Sequence, residues 1–427
     1  MAIQEETSPL LPLKHALPPV DDTADLEAII RDEVPAMYRL AYPVVLTYVL
    51  ELTPGLVSLV LVGQMAAEDT KRFVDAAALS VMYLNLTALS VGIGLATAMD
   101  TLCAQAYGAG NIRHIGLYLQ TGAVVLSAAF VPIFLANFYC ADILIFLNQP
   151  EDVAVLSGEF SRVLAFGPEH CAADAVQRHL VQYGEPRHWL CVGEPHELWV
   201  LGAAISRTLG NMSLPLSLVP YFYKKDRLAF WPGWQLHAAV QGVPEFVYFG
   251  LAGMLMMVFE WWSYEIIALL AGLLPNAIVA IGANAVLVNI TATVYMFYLG
   301  IAVAGNIRVG NALGSNRPKR AKVAAAVATI LAGGVSVMTG LCVFAFRYMY
   351  PRVFTQDSAM IALAAQVAVV VAGFQLVDGL NAAIQGALRG CGLQNYGAAI
   401  NFVSYLLFGL PVGYLFEFSF AWGLPGL

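Results

Sequence analysis

The chain has 427 residues, of which 59% are hydrophobic and only 12% charged, and its mean hydropathy is +0.71. A soluble domain carries about 25% charged residues, so the composition excludes a soluble globular protein, and no nucleic-acid partner is expected. The net charge of −8 says little about class, because Glu5, Glu6, Asp21, Asp22, Asp25, Glu27, Asp32 and Glu33 crowd the stretch before Pro35.

In chain order, residues 1–34 lack an apolar core, so they read as a flexible acidic cytosolic tail and not as a cleaved signal peptide. Within them, Glu6-Thr-Ser-Pro-Leu10-Leu11 has the shape of an acidic dileucine sorting signal. Apolar runs then follow at 41–64, 76–99, 115–138, 200–223, 245–273, 277–305, 323–346, 359–386 and 397–416, with a shorter tenth at 153–167. Runs of roughly 20 such residues cross a bilayer as helices, and a helix satisfies its own backbone in lipid. The expectation is an all-α polytopic membrane protein of about ten recognisable spans. Residues 35–223 form an amino-terminal lobe, 224–244 a cytosolic linker and 245–427 a carboxy-terminal lobe.

Residues 168–199 break this pattern. They hold His170, His179, His188 and His196, repeat Gly-Pro-Glu-His, Gly-Glu-Pro-Arg-His and Gly-Glu-Pro-His, and contain no span. With Cys171 and Cys191 nearby, a zinc site is one reading, but the spacing matches no standard zinc pattern. The stretch reads instead as one translated out of frame or through an unspliced intron. The six cysteines show no pairing pattern, and no disulfide is inferred; Cys103, Cys342 and Cys391 read as small packing residues. The second half shows five spans up to Leu427, one short of a full copy of the first.

With the amino terminus in the cytosol, the cytosolic loops carry Arg113, Lys224, Lys225, Arg227, Arg308, Arg317, Lys319, Arg320, Lys322 and Arg389. The opposite loops carry only Lys71, Arg72, Arg347 and Arg352. That asymmetry satisfies the positive-inside rule. The two halves also repeat. Gly94-Leu-Ala-Thr-Ala-Met-Asp100 matches Gly300-Ile-Ala-Val-Ala-Gly-Asn306 at an offset of 206, and the register continues through Gln105-Ala-Tyr-Gly108 against Asn311-Ala-Leu-Gly314. At an offset of 209, Gly63 falls on Gly272 and Glu51 on Glu260. Both copies begin on one side of the membrane, which makes a parallel repeat of the kind seen in secondary transporters.

Acids inside spans are the candidate site. A charged carboxylate at the bilayer centre costs about 2.5–3.5 kcal/mol on insertion scales, so such groups persist where they face a cavity or a partner. Glu51, Glu260, Glu265 and Asp378 qualify. Glu260 and Glu265 lie five residues apart and point roughly 140° away from each other, so they cannot both face one narrow site squarely. Removal from water favours the protonated carboxyl, which suits a group that takes a proton on one side and releases it on the other. The same carboxylate attracts a cationic substrate, for which Trp261, Trp262 and Tyr264 offer π faces. Asn289 is a further polar residue for the cavity, or packing glue between helices. The sequons at Asn85, Asn211 and Asn289 fall inside spans and are expected to stay unmodified.

Ala98-Met-Asp-Thr-Leu-Cys-Ala-Gln-Ala-Tyr-Gly-Ala-Gly110 resembles the signature after the second helix of eukaryotic multidrug and toxic compound extrusion (MATE) transporters. Glu260-Trp-Trp-Ser-Tyr-Glu265 with Ala271-Gly-Leu-Leu-Pro275 is similar to their seventh helix, and Arg308-Val-Gly-Asn-Ala-Leu-Gly314 to the motif after their eighth. Asp378-Gly and Gly386-Ala-Leu-Arg-Gly-Cys-Gly392 resemble their tenth. The resemblance covers about 37–167 and 200–427. It implies twelve helices in two pseudo-symmetric six-helix bundles around a central cavity, here incomplete. It also implies a monomeric secondary antiporter, not an enzyme, in the plasma membrane or a vacuolar or lysosomal membrane, with no cofactor. Such a protein exports organic cations or xenobiotics in exchange for protons, or for sodium. The family's acids carry over to Glu260, Glu265 and Asp378. The competing readings are a flippase for amphiphiles and an inactive remnant.

Overall fold

The computed structural model describes residues 26–63, 82–146, scattered positions between 151 and 162, 231–271, 274, 277–355, 357–420 and 424, excepting the side chains of 51–63 and of 269, 277 and 278. The stretch 168–199 lies outside these, as do the expected spans at 200–223 and most of 153–167. The described residues form helices and turns without a strand.

Eight long helices carry the architecture: α1 (Leu26–Gly63), α2 (Met82–Gly108), α3 (Ile112–Phe138), α4 (Val243–Ala271), α5 (Ala277–Gly314), α6 (Pro318–Ala345), α7 (Ser358–Cys391) and α8 (Gln394–Ser419). Seven of them, α2 to α8, hold stretches long and apolar enough to cross a bilayer. Their outward faces expose Ile330, Leu341, Val377 and Phe408, as lipid contact requires.

The helices outrun the apolar runs that predicted them. Arg308 and Arg389, expected in loops, lie inside α5 and α7, Arg389 in the last turn. A hydropathy window stops at the first charge, whereas a helix stops where its carbonyls are capped. At the end of α7 the cap is Gly392, at φ 73°, whose N–H donates to the Arg389 carbonyl. Glycine takes that left-handed conformation without strain. At the start of α7, Asp357 accepts from the Ala359 N–H at 2.8 Å, an N-cap. α1 likewise starts at Leu26, so residues 26–34, read with the tail, are helical and Glu33 is buried. π-Helical stretches interrupt α2 at Asn85–Leu89 and α8 at Phe402–Gly409 and Leu415–Ser419.

Two cores are built alike. One gathers Leu95, Ala98, Met99 and Leu102 of α2, Tyr118 and Leu126 of α3, and Phe246 and Phe249 of α4. The other gathers Ile301, Ala304 and Val309 of α5, Ala321 to Ala332 of α6, and Met37 and Ala41 of α1. The second and third helices of each half thus pack on the first helix of the other half. Small residues permit the approach: a Cβ on Gly94 would strike the backbone of Met254, and one on Gly300 would strike Val45. These contacts interchange under the repeat, since Gly94 and Gly300 are 206 apart and Val45 and Met254 are 209 apart.

Candidate functional site

α7 presents Gln375, Asp378, Gln385 and Arg389, all buried, at spacings of 3, 7 and 4. Those spacings keep one face of a helix, so α7 carries a polar stripe through an apolar bundle. Asp378 is 4% exposed and Glu260, from α4, is 3% exposed. The two carboxyls come from helices far apart in sequence yet lie within each other's field. Gln385 Nε2 donates to Glu260 Oε2 at 3.1 Å, and Arg389, one turn along, adds positive charge near Glu260.

Tyrosines close the cluster. Tyr264, one turn beyond Glu260 on α4, and Tyr405 of α8 hydrogen-bond each other, and both feel Glu260 and Asp378. Asn381 Nδ2 donates to Tyr405 OH at 3.3 Å. On α5, Tyr298 sits in the field of Asp378 and bonds Thr339 and Gln375. The Asp378 Oδ1 atom is buried without a hydrogen bond. The result is a carboxyl pair ringed by phenols and amides, able to hold a proton or a small cation and to repel an anion.

The predicted residues divide accordingly. Glu260, Asp378 and Tyr264 meet. Glu265 turns away from them and hydrogen-bonds Asn85 of α2. Trp261 is half-buried on α4, and Trp262 is 44% exposed. Asn289 Nδ2 donates to the Ala285 carbonyl of its own helix at 2.8 Å. Glu51 lies on α1 with its side chain outside the described residues. Gln385, Tyr298, Tyr405 and Gln375 were missed. The signal for the two glutamines was their helical register with Asp378.

A second constellation joins α1 to the other half. Glu33, 1% exposed, takes hydrogen bonds from Arg308 of α5, with Nε at 2.8 Å and Nη2 at 2.5 Å, and from Arg320 of α6. Burial works against its charge, but the two guanidiniums together outweigh that and hold the carboxyl below its ordinary 4.5. Nearby, Thr101 of α2 donates to the Arg389 carbonyl at 2.6 Å and accepts from Gln394 at 2.5 Å, while Gln105 donates to the Gly390 carbonyl at 3.0 Å. The two halves therefore close on each other at the end that bears Arg317, Lys319 and Arg320.

The MatE family profile matches residues 43–169 and 253–415. Multidrug and toxin extrusion protein 1 of Oryctolagus cuniculus is 31% identical over 415 residues, spanning 93% of this chain and 72% of that protein. The crystal structure of the eukaryotic MATE transporter AtDTX14 superposes with a TM-score of 0.82 at 26% identity, covering 93% of this chain and 92% of the other. An outward-facing multidrug resistance MATE transporter of the MOP superfamily shares the fold, with a TM-score of 0.71 at 15% identity over 95% of this chain and 93% of its own. The sequence match across both halves and the agreement of fold lead to one conclusion: this chain belongs to the MATE family of integral membrane transporters.

Proposed function

We propose that the chain is a secondary antiporter that exports organic cations or related xenobiotics in exchange for protons. The observation that carries this reading is the buried Glu260–Asp378 pair, two carboxyls from different helices within each other's field. Like charges so placed resist joint ionisation, so the pair exchanges a proton in the course of its cycle. A cation entering the site supplies the same neutralisation, and proton and substrate therefore compete. Competition for one site, coupled to rearrangement of the two halves, is sufficient for antiport. The relatives named multidrug and toxin extrusion proteins support a small-molecule substrate. The basic loop after α5 supports a cytosolic location for the closed end and for the amino terminus.

The test is efflux from proteoliposomes driven by an imposed pH gradient, with tetraethylammonium as probe. Glu260→Gln and Asp378→Asn should each abolish pH-driven transport while inserting normally. Full transport by both variants would sink the assignment. A sodium gradient that drives the wild type where a pH gradient does not would replace the proton by sodium.

A further inference from the structure

Tyr298 of α5 clamps the turn of α7 that bears Asp378. Its side chain is fully buried. Its hydroxyl donates to Gln375 Oε1 at 3.0 Å, an atom that can only accept. The phenol has one proton, so at its 2.5 Å contact with Thr339 Oγ1 the threonine donates, in place of its own bonds to the Val335 and Ser336 carbonyls. The edge of the ring faces Gly379, where an added Cβ would stand 3.1 Å from Cδ1 and Cε1. Tyr298 thus touches α7 at 375 and at 379, on both sides of Asp378.

Two buried polar atoms of this turn carry no hydrogen bond: Gln375 Nε2 and Asp378 Oδ1. Residues three apart share a helix face. Because Tyr298 engages the amide oxygen of Gln375, the end left for Asp378 is the N–H donor.

We propose that Tyr298 is a positioning residue for Asp378: acting through Gln375, it offers the carboxylate a donor and so sets the pH at which the transporter exchanges its proton. This rests on the reading of Asp378 as a proton-exchanging group. A donor matches the ionised carboxylate, whereas the protonated acid needs an acceptor. Without the phenol hydroxyl the amide is free to turn its oxygen toward protonated Asp378. The other titratable groups facing Asp378 are Glu260 and Tyr264 of α4 and Tyr405 of α8, while α6 brings the Thr339 hydroxyl to Tyr298 and the Ser336 hydroxyl to Gly379. All of them remain in Tyr298→Phe.

The experiment is tetraethylammonium efflux from proteoliposomes of the full chain, measured across pH for the wild type, Tyr298→Phe, Gln375→Met and Asp378→Asn. A donor offered to a charged carboxylate is worth about one pH unit, so both neighbouring variants, which remove it or turn it away, should move the midpoint upward by about that much. Asp378→Asn should flatten the profile. Gln375→Met leaves the Tyr298 ring in place and carries the same expectation should Tyr298→Phe fail to fold. A reduced rate at an unchanged midpoint, alongside a flat Asp378→Asn profile, would reduce Tyr298 to a packing residue and leave the role of Asp378 standing. A wild-type profile in Asp378→Asn would overturn both.

Discussion

Ala104 and Gly310 hold the same place in the two copies of the internal repeat, 206 residues apart, and they touch: a Cβ on Gly310 would come within 2.6 Å of the Ala104 methyl. Equivalent residues meet only where a pseudo-two-fold axis passes between them. The neighbouring contacts obey the same axis. A side chain on Gly108 would strike the Asn311 carbonyl, one on Gly314 would strike the Gln105 carbonyl, and each pair is the image of the other.

From this symmetry, Gly108→Ala and Gly314→Ala should be equally harmful. Each forces a methyl into backbone that cannot retreat, and overpacking typically costs about 1–3 kcal/mol. Thermal unfolding of the purified protein in detergent measures it. A large loss in one variant and none in the other would contradict the symmetric closure.

Glu33→Gln should destabilise the protein at neutral pH by about 2–4 kcal/mol, less than a wholly buried pair loses because both arginines are partly exposed. The dependence on pH has a definite sign. The folded-state carboxyl titrates below 4.5, so its contribution is complete above that value and fades as acid protonates the folded form. Melting curves of wild type and variant should therefore converge as pH falls below 4.5 and the folded-state carboxyl takes up its proton. A constant gap would show that the charge of Glu33 is immaterial.

Glu265→Gln should retain much more pH-driven transport than Glu260→Gln. Its partner is Asn85, and an amide can replace a carboxylate in that bond, whereas in the proposed antiport nothing replaces a proton held by the Glu260–Asp378 pair. Initial efflux rates decide the matter, and equal losses would place Glu265 in the exchange itself.

Thr101→Val should weaken the closed end by about 1–3 kcal/mol, because it removes the hydroxyl that links Gln394 to the Arg389 carbonyl. Faster labelling of the native, buried Cys103 by a thiol reagent would report the loosening. An unchanged labelling rate would show that the link does not hold the halves together.

Much of this was legible in the sequence because it depends on spacing along one helix. A separation of five positions between Glu260 and Glu265 required divergent directions, and they diverge, toward Gln385 and Asn85 respectively. The offset of 206 makes the repeat visible along the chain alone. What spacing along one helix does not yield is which helices meet. Nothing local to Glu33 distinguishes it from the acids around it; only the arrival of Arg308 and Arg320, some 275 and 287 positions later, makes it a buried ion-pair partner. Tyr405 was hidden for the same reason, since its partners Tyr264 and Asn381 lie on other helices.

The π-helical stretches each absorb a surplus residue within the helix. A π turn spends about one residue more than an α turn over the same rise, and each residue of a regular helix advances the direction of its side chain by about 100°. Within α8, the stretch Phe402–Gly409 carries Tyr405; within α2, the stretch Asn85–Leu89 carries Asn85 itself. Excising one residue from either stretch would turn its π turn into an α turn of about the same rise, so both flanks would keep their bearing while Tyr405 or Asn85, inside the stretch, would be re-aimed away from its partner. The aim of Tyr405 and of Asn85 is thus stored in a single surplus residue, a quantity that no count of apolar positions records.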